Sequence, residues 1–138
     1  MVCLVCGANT QVINSRRQKR ANQVWRRRRC LECLRVVTTN EAADIGQIFS
    51  VERPGSSSEP FLPDKLFTEV LLALQDRKDC YVAARELCAT ITQNLRKKSD
   101  GPVFQAKMIS EETAKALKRF NKRAWMRYRA EHPSLLNA

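Results

Sequence analysis

Two Cys-x-x-Cys pairs near the start of the chain constrain its fold more than any other feature. Cys3 and Cys6 are separated from Cys30 and Cys33 by 23 residues, and the next cysteine is Cys80. Each pair offers two thiolates on one tight turn, and four thiolates form the ligand set of structural zinc sites. We therefore predict a zinc site here. Two disulfides, reduced structural thiols and a rubredoxin-like iron site are the alternatives.

The segment around these pairs contains little that could form a hydrophobic core. Strand-like runs occur at residues 10–13, 24–29 and 35–39, where β-branched side chains are frequent. So small a segment needs a metal or a covalent link to fold. We predict a zinc ribbon over residues 1–46.

Positive charge is concentrated at the two ends of the chain. The formal net charge is +11, of which residues 1–46 carry +6, residues 47–102 none and residues 103–138 +5. Basic clusters bind polyanions by releasing condensed counterions, so nucleic acid is the leading partner class. An acidic membrane surface or an acidic protein is the alternative.

Arginines dominate the segment before the second cysteine pair. Trp25 is followed by Arg26, Arg27, Arg28 and Arg29, with Arg16, Arg17, Lys19 and Arg20 shortly before them. In a strand, alternate arginines point to opposite faces, so two of them can meet one phosphate backbone. The planar guanidinium donates paired hydrogen bonds to phosphate. We favour DNA contact over the alternative, a charged edge that prevents strand aggregation.

Residues 47–138 are predicted to form a second, α+β unit. We predict a hairpin made of a strand at residues 48–51, a turn at 54–58 and a second strand at 59–61. The second strand is expected at the edge of the sheet, because Pro60 has no N–H to donate to a neighbouring strand. Three helices follow: one from about Pro63 with Asp64 as N-cap, one over residues 81–97, and one from Ser110. The third helix is basic, and its buried face is predicted to contain Thr113, Leu117, Phe120, Ala124 and Tyr128.

The remaining features suggest no catalysis. Cys80 and Cys88 are interpreted as buried core thiols, and the single histidine, His132, is given no role. The sequence contains neither a nucleophile–base arrangement nor a glycine-rich phosphate loop, so we do not predict an enzyme. It has no apolar run of membrane-spanning length and no signal peptide, and we therefore expect a cytoplasmic protein.

Four motifs in residues 1–41 resemble a known family. They are Cys3-x-x-Cys6-Gly7, the run 12–16, the run 26–33 around Cys30, and the run 38–41. Together they resemble the start of the NrdR family, which are bacterial zinc-ribbon repressors of ribonucleotide reductase genes. In that family an ATP-cone follows, a small domain that senses ATP and dATP, and residues 51–66 and 124–128 resemble its opening and its closing helix.

The resemblance implies a homo-oligomeric repressor that binds double-stranded DNA. It also implies that oligomerisation of the repressor responds to an adenine nucleotide. It agrees with the zinc ligation already predicted for Cys3, Cys6, Cys30 and Cys33 and with DNA contact by Arg16, Arg17, Arg26, Arg27, Arg28 and Arg29. It also implies nucleotide contact by Val51, Arg53, Glu59 and Lys65. Glu52 and Pro54 stand where the family has lysine and aspartate. A carboxylate at position 52 is expected to repel a triphosphate, which predicts weak or altered sensing.

A second hypothesis explains the same charge differently. It is a zinc-ribbon accessory protein that binds RNA or a ribosomal surface, with the helical unit as a scaffold. Protection of promoter DNA with paired, helically phased sites would favour the repressor. Equal affinity for unrelated RNAs and DNAs would favour the accessory protein.

Overall fold

The computed structural model describes residues 1–19 and 22–135. The chain divides into two compact units, residues 1–44 and 45–138. The boundary predicted from sequence, between residues 46 and 47, lies close to this division. We describe each unit by itself.

The first unit is a three-stranded antiparallel sheet. Its strands are β1 (Thr10–Gln18), β2 (Gln23–Cys30) and β3 (Val36–Ala42), and β2 lies in the centre. The strands occupy the predicted positions, but β1 extends five residues beyond residue 13 because it pairs with β2 along its whole length. The sheet has almost no core, since Cys3 and Cys30 are the only buried residues described in residues 1–44.

The second unit combines a small sheet with helices. Its elements are α1 (Ile45–Ile48), β4 (Ser50–Glu52), β5 (Glu59–Pro60), α2 (Pro63–Ala73), α3 (Cys80–Lys98), β6 (Val103–Gln105), α4 (Ala106–Phe120) and α5 (Lys122–Glu131), followed by a 3-10 turn, Pro133–Leu135. Strand β4 is central, antiparallel to β5 and parallel to β6. The α+β class is as predicted, and Pro60 lies on an edge strand.

The core of this unit forms around Phe104 of β6. Its ring is fully buried, stacks on Phe49 with centroids 4.6 Å apart, and meets the edge of Phe61 at 5.2 Å. The helices add buried aliphatic side chains, including Leu66, Val70, Leu74, Ala84, Ile91, Leu95 and Leu117, the last of which was predicted to face inward. This unit therefore has the hydrophobic core that the first unit lacks.

The segment predicted to form one third helix forms two helices in the structure. Helix α4 begins at Ala106 rather than Ser110 and ends at Phe120, and α5 begins at Lys122. Between them Asn121 is extended, and its side-chain oxygen accepts a hydrogen bond from the Ala124 N–H at 3.0 Å. Asparagine is a strong N-cap, so it starts a new helix instead of continuing the old one. Phe120, predicted to be buried, is 43% exposed.

Two further local predictions are corrected by the structure. Leu62, not Asp64, is the N-cap of α2; Pro63 follows at the first helical position, which suits proline because its missing N–H has no partner there. Ile48 ends the short helix α1 instead of starting a strand, because the Phe49 N–H donates to the Ile45 carbonyl at 2.9 Å.

No helix in the described part of the chain is both long and apolar enough to cross a bilayer.

Replacing Asn121 with alanine should destabilise the helical unit. Loss of the cap leaves the Ala124 N–H without its partner and should lower the free energy of unfolding by about 1 kcal/mol. Asn121→Asp should keep the stability, because aspartate also caps and suits the positive helix end. Urea titration of the zinc-loaded chain measures both. Equal midpoints for Asn121→Ala and the unaltered chain would contradict the capping role.

Candidate metal centre and nucleic-acid interface

The four cysteines of the two pairs converge in the first unit. Their Sγ atoms all lie within 4.8 Å of one another. The Sγ atoms of Cys3 and Cys33 are 3.7 Å apart, and those of Cys6 and Cys30 are 3.4 Å apart. Cys30 is the last residue of the central strand, so the cluster holds β2 at one end.

Each cysteine pair lies on a turn of the same construction. The Cys3 N–H donates to the Ala8 carbonyl at 2.7 Å, and the Cys30 N–H donates to the Arg35 carbonyl at 2.9 Å. Gly7 and Leu34 follow the second cysteine of their pairs, and both have positive φ, 75° and 58°. Glycine adopts this conformation freely, whereas leucine at the matching position is strained.

The sulfur spacing fits a tetrahedral metal ion. Four thiolates about 2.3 Å from zinc lie about 3.8 Å from one another, close to the observed distances. A disulfide needs about 2.05 Å between sulfurs, and all six cysteines are free in this structure. The geometry therefore matches a zinc site.

The ionisation of the cluster also favours a cation. Backbone N–H groups of Val5 and Cys6 lower the pKa of the Cys3 thiol to about 6. The pKa of Cys33 is raised to about 11: the backbone of Arg35 lowers it, but burial and hydrogen bonds to the other three cysteines raise it more. Four thiolates together repel one another, so full deprotonation needs a positive ion between them.

The strand register divides the six predicted DNA-binding arginines equally between the two faces of the sheet. Arg27 and Arg29 alternate with Arg26 and Arg28 along β2. Directly opposed residues share a face, and Arg16 opposes Trp25 whereas Arg17 opposes Val24. Arg16, Arg27 and Arg29 therefore lie on one face, which we call the arginine face, and Arg17, Arg26 and Arg28 on the other.

The two faces differ in how free their arginines are. Arg16, Arg27 and Arg29 are exposed and form no ion pair with any described residue. On the other face Arg17 is also exposed, but Arg26 is 2.8 Å from the Glu41 carboxylate, and Arg26 and Arg28 are half-buried. Lys19 lies in the turn after β1, and Arg20 lies outside the described residues.

The arginine face also contains polar side chains. Asn14 and Thr38 oppose Arg27, Gln11 opposes Arg29, and Asn40 opposes Trp25. Amides and hydroxyls are groups that read base edges, whereas arginines contact either phosphates or guanine.

The second unit brings the four predicted nucleotide residues together. Val51, Arg53, Glu59 and Lys65 all line one cavity of about 190 Å³. Arg53 and Lys65 both pair with the Glu59 carboxylate, Lys65 at 3.6 Å. The hydrogen bond from Arg53 and the positive charges of both partners hold the pKa of Glu59 below its usual range. The cavity thus has an ionised carboxylate between two cations.

The expected repulsion by Glu52 finds no geometric support. Its neighbours Val51 and Arg53 line the cavity, whereas Glu52 is not among the lining residues. Its carboxylate accepts a hydrogen bond from Gln105 of β6 at 3.0 Å. Alternation along the strand accounts for this, since adjacent residues point to opposite sides.

Sequence reasoning missed three polar residues of this cavity, Glu69, Ser110 and His132. Glu69 could have been found, because it lies one helical turn after Lys65 on the same face of α2. His132 gives no such signal. The end of α5 brings its ring onto that of Tyr128, with centroids 4.0 Å apart, and its Nε2 lies 3.9 Å from Glu69.

Cys80 and Cys88 pack against the core of the second unit and are half-buried, not fully buried as predicted. Burial raises the pKa of Cys88 to about 11, which keeps it a thiol. Neither lies in the metal cluster.

Comparison with known proteins gives the class of the chain. Residues 1–41 match the family model described as "Transcriptional repressor NrdR-like, N-terminal domain", a zinc ribbon. With the four-cysteine cluster, this match identifies residues 1–41 as a zinc ribbon of the class found in transcriptional repressors.

A relative that matches over most of both chains gives the family. A protein of Symbiobacterium thermophilum named "Transcriptional repressor NrdR" is 34% identical over 128 residues, which are 93% of this chain and 84% of that protein. The chain belongs to the NrdR family of transcriptional repressors.

We expect the purified chain to contain one zinc ion, and Cys6→Ser to lose it. With three thiolates the sheet of the first unit should unfold, because it has no core to replace the metal. The matched control is Cys80→Ser, outside the cluster, which should keep the metal. Elemental analysis measures zinc, and circular dichroism should show the helices retained in both variants. Less than about half an equivalent of zinc with all thiols intact would refute the site.

Proposed function

We propose that the chain is a repressor that binds double-stranded DNA through the arginine face of its zinc ribbon. One observation carries the proposal: Arg16, Arg27 and Arg29 are exposed, without ion pairs among the described residues, and on one face. The thiolate cluster fixes the end of β2 next to Arg29, so the strand presents these charges in a defined spacing. Phosphate contacts by such arginines position a protein on DNA, and neighbouring polar groups read bases.

The free thiols support action in the reducing cytoplasm, where cysteines remain available for metal. The proposal assigns no catalytic step to the chain.

Substitutions on the two faces of β2 test the DNA proposal. Arg27→Gln with Arg29→Gln should weaken duplex binding by roughly tenfold to a hundredfold, because two contacts to phosphates or guanines are lost. The matched control, Arg26→Gln with Arg28→Gln, removes the same charge from the opposite face and should change the affinity much less. Fluorescence anisotropy with promoter DNA measures both, after zinc content confirms folding.

Two results would contradict this assignment. If both double variants lose the same affinity, net charge and not the arginine face governs binding. If the zinc-loaded, unaltered chain binds no duplex DNA, the repressor mechanism itself is wrong.

We further propose that the cavity of the second unit binds ATP or dATP and that the nucleotide alters oligomerisation on ribonucleotide reductase promoters, as the resemblance implies. Support comes from Arg53 and Lys65, whose cations can exchange their pairing with Glu59 for phosphates, and from the N-terminus of α2, whose dipole favours anions. Leu62, Leu66 and Ile109 add an apolar lining that suits a base. If the bound nucleotide changes the affinity for DNA by some factor, bound DNA should change the affinity for the nucleotide by the same factor, because the two binding free energies are linked.

Calorimetric titration tests the nucleotide site. ATP or dATP should bind the unaltered chain, and Arg53→Gln with Lys65→Gln should abolish most of the heat, because two phosphate contacts disappear. Glu52→Gln is the matched control and should leave the affinity unchanged, since Glu52 does not line the cavity. Sedimentation reports the change of mass on binding. No heat with either nucleotide would refute sensing and leave the DNA proposal standing.

A further inference from the structure

Four exposed cations surround the junction of α4 and α5. Lys118 and Arg119 lie in the last turn of α4, and Lys122 and Arg123 lie in the first turn of α5. We call these four residues the junction surface. From Thr113 to Ala130 the chain has seven basic residues and no acidic one.

The carboxylates near the junction surface are already engaged. Asp79 receives two hydrogen bonds from Arg77, both 2.8 Å, and Asp76 lies 3.4 Å from Arg127. The Arg127 hydrogen bond is the main cause that lowers the pKa of Asp76, and Arg123 contributes a weaker attraction. Arg119 and Lys122 form no ion pair with any described residue.

The neighbouring aromatic ring limits the movement of one of these cations. The ammonium of Lys118 lies 5.1 Å from the Trp125 centroid, and the guanidinium of Arg129 lies 4.9 Å from it. Contact with the ring face stabilises a cation without neutralising it. Lys118 therefore keeps a full charge in a restricted position.

Helix stability does not account for the charges that begin α5. Cations are favourable in the last turn of a helix, which suits Lys118 and Arg119, but unfavourable in the first turn. Lys122 and Arg123 occupy the first turn of α5, where acidic residues are favoured and none is present. The dipole of α5 therefore gives these two cations no stabilisation, which an external anion would supply.

The charge distribution of the chain indicates what that anion is. Residues 1–46 carry +6, residues 47–102 are neutral and residues 103–138 carry +5, so a second copy of the chain, with a net charge of +11, is repelled by this surface as a whole. A nucleic acid supplies a dense row of phosphates. We propose that the junction surface contacts the phosphate backbone of the DNA to which the zinc ribbon binds, and that it adds affinity without sequence preference. This inference rests on the proposed DNA-binding function.

The salt dependence of DNA binding by the full zinc-loaded chain tests it. Log Kobs should fall linearly with log salt between about 50 and 200 mM, with a slope of about −0.9 per phosphate contact. In Arg119→Gln with Lys122→Gln, the slope should decrease in magnitude by about 1.8, equally for promoter and unrelated duplexes. The rescue variant, Arg119→Lys with Lys122→Arg, should restore it.

The matched control is Arg85→Gln with Lys97→Gln, which removes one arginine and one lysine from exposed positions of α3. Its slope should stay that of the unaltered chain. An unchanged slope in the junction variant, or an equal change in the control, overturns the inference while DNA binding stands. An altered sedimentation mass with an unchanged slope also overturns it, because the surface then joins protein copies. Absence of duplex binding by the unaltered chain would instead refute the proposed function itself.

Discussion

The attraction between four thiolates and one metal ion is the interaction on which the first unit depends. Cys3 and Cys30 are the only buried residues described in residues 1–44, so the sheet has no hydrophobic core to hold its strands together. The thiolates cannot all ionise side by side without a cation, and hence metal binding and strand pairing form together. In the first unit the metal holds the strands together, as the buried core around Phe104 holds together the elements of the second unit.

This dependence explains how so polar a sheet can present unpaired arginines. A folded strand with four consecutive arginines repels itself, and packing could not offset that cost because the unit has almost no buried apolar surface. Coordination of Cys30 fixes the strand at the residue that follows Arg29. The charges then stay exposed and free for an anionic partner, while Glu41 neutralises Arg26 on the opposite face.

Much of this arrangement follows from local sequence, and the rest does not. The cysteine spacing, the strands of the ribbon and the positions of α2 and α3 are local patterns, and they were predicted. Strand β6 was not, because it has three residues and pairs with β4 about fifty positions earlier. The end of α4 was also missed, since apolar residues continue at helical spacing past Asn121, and only the cap shows the break. His132 reaches the cavity of the second unit through tertiary packing alone, whereas Val51, Arg53, Glu59 and Lys65, which line the same cavity, were predicted together because they belong to a motif.

The bulge in β1 determines how a deletion within this strand changes the face on which its arginines lie. The register of β1 against β2 changes between Val12 and Asn14, and Ile13 is the additional residue at the bulge. Without that shift Arg16 would oppose Val24 and share a face with Arg26 and Arg28. Loss of Ile13 would leave the pairing of Asn14 with Arg27 intact, whereas a deletion after Asn14 would exchange Arg16 and Arg17 between the faces. Position 13 is therefore where evolution can shorten this strand without changing which charges lie together.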